Sequence, residues 1–344
     1  MFFKRAALAC LALSCTSIAV AETSSVQLYG VIDGGIRHEK RLDGSHVFGM
    51  ASGIAGQSRF GMKGVEDLGG GLSATFTLEG GFLTTTGNST QGRLFGRQAT
   101  LGLKGGFGEV RIGRQVTFGY AWTPFIASPF GVAWSGNSIG NTFGYKSGDY
   151  GPDGRLSNAV IYETPNVSGF QAGIGYSFST DDQQAAGSSN NNRVLTAGIR
   201  YIKGPLRAAL TYDGLNPKKD SDKRKSQNYQ LGVSYDFEVV RAFLGYNEQR
   251  KINNSPVPGY IAKGKHKDRA YSIGASVPIG AGDLMFNYQH AVLSKNRGVG
   301  AAYRYKLSKR TMVYAAGNYY KVRNFNLDEN QNKHQLAVGI QHSF

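Results

Sequence analysis

The sequence predicts an all-β fold, namely a transmembrane barrel of antiparallel strands. Segments of about ten residues with alternating polarity recur along the chain, as in membrane strands. No apolar run after the N-terminal segment approaches the roughly 20 residues that a membrane-spanning helix needs. The 48 glycines, 19 tyrosines and 19 phenylalanines also disfavour helix formation. An exported chain of this kind can cross a bilayer only as a closed barrel, because lipid cannot satisfy open backbone groups.

The first residues have the pattern of an export signal. Lys4 and Arg5 precede an apolar stretch over 6–20, and Ala19-Val20-Ala21 provides a cleavage site of small residues. We therefore predict a cleaved signal peptide over 1–21 and a single barrel domain over 22–344. Both cysteines lie inside this signal, so the mature chain has no disulfide, thiolate metal site or cysteine nucleophile.

The charge of the mature chain indicates an anionic partner. Without Lys4 and Arg5, 37 of the 39 basic residues stand against 23 acidic ones, which leaves a net charge of +14. Nucleic acid is a poor candidate for an exported protein whose basic residues are scattered singly. Lipid head groups and small anionic solutes fit this charge better.

Alternation and connection lengths together predict the strand number. The first strand presents apolar residues on one face and polar residues on the other: Val26, Leu28, Ile32 and Ile36 against Gln27, Tyr29, Asp33 and Arg37. Short connections such as 67–70 and 203–205 take turns with long polar ones such as 39–54 and 181–192. Counting in this way gives 16 strands, an even number that lets the last strand close against the first.

Six stretches, in order along the chain, resemble the general porins of the neisserial and β-proteobacterial type. They are Ser25–Asp33, Ser58–Leu72, Leu94–Leu103, Gly113–Gln115, Ser157–Tyr162 and Gly339–Phe344. The resemblance implies a homotrimer of 16-stranded barrels in the outer membrane, each with its long third external loop folded into the lumen as a constriction. It also implies contacts with outer-membrane lipid and lipopolysaccharide. Phe344 resembles the C-terminal signal that barrel-assembly machinery reads.

The resemblance implies that the longest connection, about 119–154, is this constriction loop, and an external flap is the alternative. Its stretch Ser128–Gly131, with Pro129 and Phe130 at its centre, resembles the inward tip of the loop and carries no carboxylate. The related porins usually present acids there, opposite a basic wall. Asp149 and Asp153 are the loop's only acids and lie near its end, which weakens a cation-selective interpretation.

Four arginines are candidates for the basic wall: Arg59, Arg97, Arg114 and Arg155. Arg59 shares the polar face of its strand with Lys63, and we also expect Lys63, Arg37 and Asp33 to face the lumen. Strict alternation would place Arg97 on the lipid side. The resemblance places it in the lumen with Thr100 and Gly102 outward, and we follow the resemblance. Arg111 and Arg114 cannot share a strand face, and the sequence does not decide which of them points inward.

The expected function is passive diffusion of small hydrophilic solutes, mainly anions, without cofactor or metal. A channel dedicated to one anion, such as phosphate or an organic acid, is the alternative. An outer-membrane enzyme would need a nucleophile with its base or a metal motif, and the six histidines fall into no such pattern. A soluble secreted β-sandwich would also alternate in polarity, but it would not require alternating short and long connections.

Overall fold

The computed structural model describes residues 24–146, 148–181 and 184–344; the predicted signal peptide at 1–21 lies outside them. In these ranges one antiparallel sheet contains 17 strand segments. They are β1 (Ser25–Lys40), β2 (His46–Ser52), β3 (Arg59–Gly69), β4 (Leu72–Gly81), β5 (Gln98–Gly105), β6 (Gly108–Val116), β7 (Arg155–Glu163), β8 (Phe170–Ser177), β9 (Arg193–Lys203), β10 (Leu206–Asn216), β11 (Gln227–Asp236), β12 (Arg241–Arg250), β13 (Lys267–Ile279), β14 (Gly282–Ala291), β15 (Asn296–Lys306), β16 (Thr311–Asn324) and β17 (Glu329–Ser343).

The sheet closes on itself between β1 and β17. Their register runs from Val31 opposite Ser343 to Lys40 opposite His334. On its other edge, β1 pairs with β2 over its second half and with β3 over its first half. These two segments therefore share one position in the wall, and the barrel has 16 strand positions. The predicted closed barrel of 16 strands is confirmed.

Residues after β17 extend the closing seam. The backbone N–H of Phe344 donates to the carbonyl of Gly30, and the N–H of Gly30 donates to the carbonyl of Phe344, both at 3.1 Å. A Cβ added at Gly30 would lie 2.3 Å from the Phe344 ring, so glycine lets the ring lie flat against β1. Phe344 remains 42% exposed on the outer side of the barrel.

The two faces of the wall differ in polarity, as predicted from the alternation. Outward positions on neighbouring strands are exposed and apolar, for example Leu231, Leu244 and Ile273. Residues at the alternate positions of the same strands, such as Asn247 and Ser272, point inward and are buried. A surface with this much exposed apolar area suits lipid, where its burial is favourable. No helix in the described ranges combines the length and apolar character needed to cross a membrane.

Residues 53–58 interrupt the wall between β2 and β3. The sequence analysis assigned residues 39–54 to one long connection. That assignment is wrong for residues 46–52, which form β2 and pair with β1. The carboxylate of Asp33 accepts the N–H groups of Ile54 (2.7 Å) and Ala55 (3.3 Å) at the break. Tyr314 and Gln341 donate to the same carboxylate at 2.9 and 3.1 Å. Asp33 thus replaces the ladder bonds that the interruption removes.

Residues 117–154 form a long segment between β6 and β7 that packs on the inner face of the wall. Its described residues, 117–146 and 148–154, contain two short helices, α1 (Phe118–Ala121) and α2 (Thr123–Ala127), and three 3₁₀ turns at Ile139–Asn141, Gly144–Lys146 and Pro152–Gly154. Helix α2 contacts β10 to β13. Inward amide side chains of the wall donate to backbone carbonyls of the segment, as from Gln249 to Thr142 (3.2 Å) and from Asn296 to Asn141 (2.9 Å).

The break in the wall also holds this inner segment. The backbone N–H of Ser135 donates to the carbonyl of Ile54 at 2.7 Å, and that of Trp134 to the carbonyl of Ala55 at 3.3 Å. Trp134 packs edge-on against Tyr314, with ring centroids 5.3 Å apart. Because the same two residues, Ile54 and Ala55, bond to Asp33, the position of the segment depends on that carboxylate.

We expect Asp33→Ala to destabilise the barrel by about 3 kcal/mol or more, since four donors, three of them buried, lose their carboxylate acceptor. The urea midpoint of the folded band on a gel without heating measures this change. The matched control is Asp43→Ala, which removes an exposed carboxylate in the turn after β1. Equal midpoints for the two variants would show that the Asp33 contacts contribute little.

Candidate functional site

The inner segment and the facing wall enclose a cavity of about 440 Å³ inside the barrel. On the wall side it is lined by Arg59, Arg97, Arg155 and Glu79 together with glutamine side chains. The inner segment contributes mainly apolar side chains, among them Tyr120, Phe125 and Val132. The charged lining residues are three arginines and one glutamate, so the cavity has a formal net charge of +2.

Glu79 joins two of these arginines. Its carboxylate lies 2.7 Å from Nε of Arg97 and 3.5 Å from Nε of Arg59, and it accepts the hydroxyl of Tyr29 at 3.0 Å. Arg97 also donates to the side-chain oxygen of Gln57, and Arg59 donates to the Gln57 carbonyl at 3.0 Å. The two guanidinium groups are therefore fixed in position. The side chains of Glu79 and Arg97 are 10% and 12% exposed, whereas that of Arg59 is 30% exposed, so Arg59 is the most open member of this group.

Arg155 begins β7 and approaches the cavity from the far side of β6. Its guanidinium lies 5.3 Å from the centroid of the Tyr120 ring and 3.5 Å from the carboxylate of Asp153. The side chain is only 2% exposed, whereas that of Arg59 is 30% exposed. Of the three arginines that line this cavity, Arg59 is consequently the most accessible to a solute.

Arg114 does not join this cavity. Its Nε donates to the carbonyl of Gly96 and its Nη1 to the hydroxyl of Ser157, both at 2.8 Å, so it ties the connection before β5 to β7. Its inclusion in the basic wall is therefore corrected. The cause is local: Gly113 has a positive φ of 115° and the β6–β7 register shifts at this point.

Arg111, not Arg114, faces the lumen on the regular part of β6. It forms ion pairs with Glu109 (2.7 Å) and with Glu163. Glu109 also accepts the hydroxyl of Thr75 at 3.0 Å, and Glu163 belongs to the adjacent strand β7. Arg111 is thus held between two carboxylates and contributes little net positive charge to the lumen.

Arg97 points inward, but Thr100 and Gly102 do too, and the expectation that these two face outward is wrong. Leu101 and Leu103 are the exposed outward residues of β5, at 57% and 47%. Arg97 precedes β5, whose regular pairing begins at Gln98. The alternation of β5 therefore does not extend to Arg97, so Arg97, Thr100 and Gly102 can all face inward.

The other predicted lumen residues occupy the inner face with different surroundings. Lys63 lies over the Tyr29 ring at 5.5 Å, and Arg37 pairs with Glu39 at 3.2 Å. Asp33 is fully buried and holds the break between β2 and β3. It is a structural residue of the inner face, not one that a solute can reach.

The predicted tip of the inner segment packs against the opposite wall. The ring of Phe130 is buried against Trp134, and the amide of Asn287 donates to the Ser128 hydroxyl at 2.6 Å. Pro129, Phe130 and Gly131 line a second cavity of about 450 Å³. The tip itself has no carboxylate, but the wall beside this cavity does. Asp236 pairs with Arg241, and Asp283 pairs with Arg304 at 2.8 Å.

The two acids at the end of the segment have separate positions. Asp149 is buried and accepts the backbone N–H of Asn253 (2.9 Å) and the amide of Asn254 (2.6 Å), which fastens the segment to the connection over 251–266. Asp153 lies beside Arg155. Within the segment, Tyr145 is buried and shares a hydrogen bond of 3.0 Å with Ser138; burial raises the pKa of its phenol, so it stays protonated.

Sequence reasoning missed Glu79 and Phe125 as members of the site. Glu79 stands on the polar face of β4, so alternation indicated its direction but not its partners. Its position between Arg59 and Arg97 follows from the β3–β4 register, in which Glu79 is opposite Gly61. No group of three or more His, Asp or Glu side chains in the described part of the chain is arranged to hold a metal ion.

Comparison with known proteins agrees with this architecture. Residues 6–324 match the model of a family described as Gram-negative porin. An outer membrane porin protein of Bordetella pertussis is 37% identical over 95% of this chain and 96% of its own length. Outer membrane porin protein 32 of Delftia acidovorans is 33% identical over 98% of this chain and 95% of its own.

Solved structures show the same relationship. An anion-selective porin from Comamonas acidovorans superposes with a TM-score of 0.77 and 27% identity, covering 93% of this chain and 100% of its own. The family model matches most of the chain, and two relatives exceed 30% identity along nearly its whole length. Both findings assign the chain to the same family. The protein is an outer-membrane channel and not an enzyme, and it belongs to the Gram-negative porin family.

Proposed function

We propose that this porin is a water-filled channel for passive diffusion of small hydrophilic solutes and that it prefers anions. The observation that carries the proposal is the cavity lined by Arg59, Arg97, Arg155 and Glu79, with a formal net charge of +2. The inner segment on its other side, residues 117–154, then acts as the constriction. A similar structure of 27% identity is named an anion-selective porin, which supports this preference.

The mechanism is electrostatic. A narrow aqueous passage between low-dielectric walls focuses the field of its lining charges, which raises the local concentration of counter-ions. Guanidinium groups stay ionised at all relevant pH values and are weakly hydrated, so an anion can exchange water for their N–H donors at low cost. No covalent step or energy coupling is needed, and the solute gradient drives the flux.

Glu79 orients the arginines in this mechanism. Without an acceptor, Arg59 and Arg97 would repel each other and adopt varied side-chain conformations. The carboxylate holds both at fixed distances, and it reduces the local charge by one unit. An anion therefore meets a moderate positive potential, which attracts it without trapping it.

A homotrimer is part of the proposal. It is implied by the resemblance to general porins, and one structure with the same fold, from Vibrio cholerae, is described as a trimer form. Contacts with lipopolysaccharide and recognition of Phe344 by assembly machinery belong to the same expectation. Chemical cross-linking of the detergent-extracted protein would show the subunit number directly.

A channel dedicated to one anion is the second candidate. Its lumen would share the same arginines, so the distinguishing observation is kinetic. A general channel conducts in proportion to anion concentration, whereas a dedicated one saturates with its substrate. Single-channel conductance measured against phosphate and chloride concentration separates the two.

Arg59→Glu should lower the anion preference several-fold and can reverse its sign, because the formal charge of the cavity changes from +2 to zero. The reversal potential of single channels in planar bilayers under a potassium chloride gradient measures this effect. The control Arg310→Glu makes the same charge change at an exposed residue in the short connection before β16. Identical reversal potentials for wild type and Arg59→Glu would remove Arg59 from the constriction.

Glu79→Gln should have the opposite effect. The amide oxygen can still accept from Arg97, but the cavity charge rises to +3, so anion preference should increase under the same salt gradient. Glu329→Gln removes an exposed carboxylate at the start of β17 and serves as control. A shift toward cations in Glu79→Gln would contradict the assigned role of this residue.

A further inference from the structure

One aromatic residue of the inner segment differs from all the others described there. Phe118, Trp122, Phe130, Trp134 and Phe143 are each at most 5% exposed, whereas Phe125 is 52% exposed. Exposed aromatic surface facing water is unfavourable. The five other rings are buried, so the packing of the segment does not explain why the ring of Phe125 is exposed.

Phe125 lies between the two cavities of the lumen. It lines both the arginine cavity and the second cavity, as does Ala133. The arginine cavity is built from strand ends at the long connections, including the start of β7. The second cavity is built near the short turns on the other membrane side, where Asp236, Pro278 and Asp283 lie. The Phe125 ring is therefore part of the boundary that the two cavities share.

The ring is held in place. Gly131 has a positive φ of 54°, and a Cβ there would lie 2.7 Å from the ring of Phe125, so the ring rests directly on this glycine. Helix α2 is anchored by a 2.7 Å hydrogen bond between the hydroxyls of Thr123 and Thr211 and by the fully buried Ala127. A fixed ring can present one face to solutes without losing conformational entropy on each contact.

The arginine cavity therefore has two chemically different sides. Arg59 and Arg97 stand on the wall side, and the inner segment offers apolar groups: Ala121, Phe125, Val132 and Ala133. A hydrated inorganic anion uses only the first side. An organic anion with a planar apolar body uses both, because its carboxylate pairs with a guanidinium while its body covers the exposed ring.

We propose that Phe125 and the arginine cavity form a binding site for organic carboxylates with an aromatic or similarly flat apolar part. This inference rests on the proposed anion preference and adds a substrate class to it. The second cavity has two arginines and three acids among its lining residues, a formal net charge of −1, so it is not an equivalent site. Binding is expected on the arginine side of the ring only.

The test uses the whole purified channel in planar bilayers with benzoate as the probe. Acetate supplies the same carboxylate without a ring, and benzylammonium supplies the ring with the opposite charge. Benzoate should reduce the chloride current saturably, whereas acetate and benzylammonium should do so weakly. In Phe125→Ala the half-blocking benzoate concentration should rise about two- to tenfold, the range expected for loss of one aromatic contact.

Two variants control for folding and for unspecific ring effects. Phe125→Trp keeps an aromatic face and should retain the block. Phe170→Ala removes a similarly exposed ring on β8, which does not line the cavity. The centroid of this ring lies 4.7 Å from that of Tyr201, and its removal should leave the block unchanged. If Phe125→Ala does not assemble, the comparison of benzoate with acetate in the wild-type channel still decides.

The inference is overturned if benzoate blocks the wild-type channel no better than acetate, or if Phe125→Ala binds benzoate as the wild type does. These outcomes differ from failure of the proposed function. That failure would be a cation-selective or unselective reversal potential in potassium chloride without any benzoate. A benzoate block that depends on Phe125 in an unselective channel would keep the ring as a contact site and remove the anion preference.

Discussion

The carboxylate of Asp33 is the contact on which the inner architecture depends. A strand wall in lipid must pair its backbone groups, and the interruption between β2 and β3 breaks that rule at residues 53–58. Asp33 accepts the N–H groups of Ile54 and Ala55, while the hydroxyl of Ser58 donates to the carbonyl of Asp33 at 3.1 Å. The interruption is therefore tolerated, and it leaves the carbonyls of Ile54 and Ala55 directed toward the lumen.

Those two carbonyls accept hydrogen bonds from the inner segment. Trp134 and Ser135 pair with Ala55 and Ile54, which holds one end of the segment against the wall. Farther along, amide side chains of the wall such as those of Gln249 and Asn296 donate hydrogen bonds to backbone carbonyls of the segment. A long irregular chain inside a barrel needs partners of this kind for its own backbone, and the polar inner face supplies them. The position of this segment inside the barrel consequently follows from hydrogen bonds made by the wall.

The fold could be predicted from the sequence because its main determinant is periodic. Alternation indicated the two faces of β1, and alternating connection lengths indicated the strand number. The site was less accessible to such reasoning at positions where the period stops. Arg97 lies before its strand, and Arg114 follows Gly113, whose positive φ marks a shift in register. The partners of Glu79 depend on pairing between neighbouring strands, which composition does not specify.

The seam between β1 and β17 has a consequence for the order of folding. Asp33 and Gln341 are hydrogen-bonded across the seam although 308 residues separate them along the chain. Contacts between such distant residues form slowly, because a long loop must be closed before they bring any stabilisation. Until β17 arrives, one edge of β1 has unpaired N–H and C=O groups and could pair with another chain. A nascent barrel is therefore exposed to wrong pairing at β1 for as long as its ring stays open.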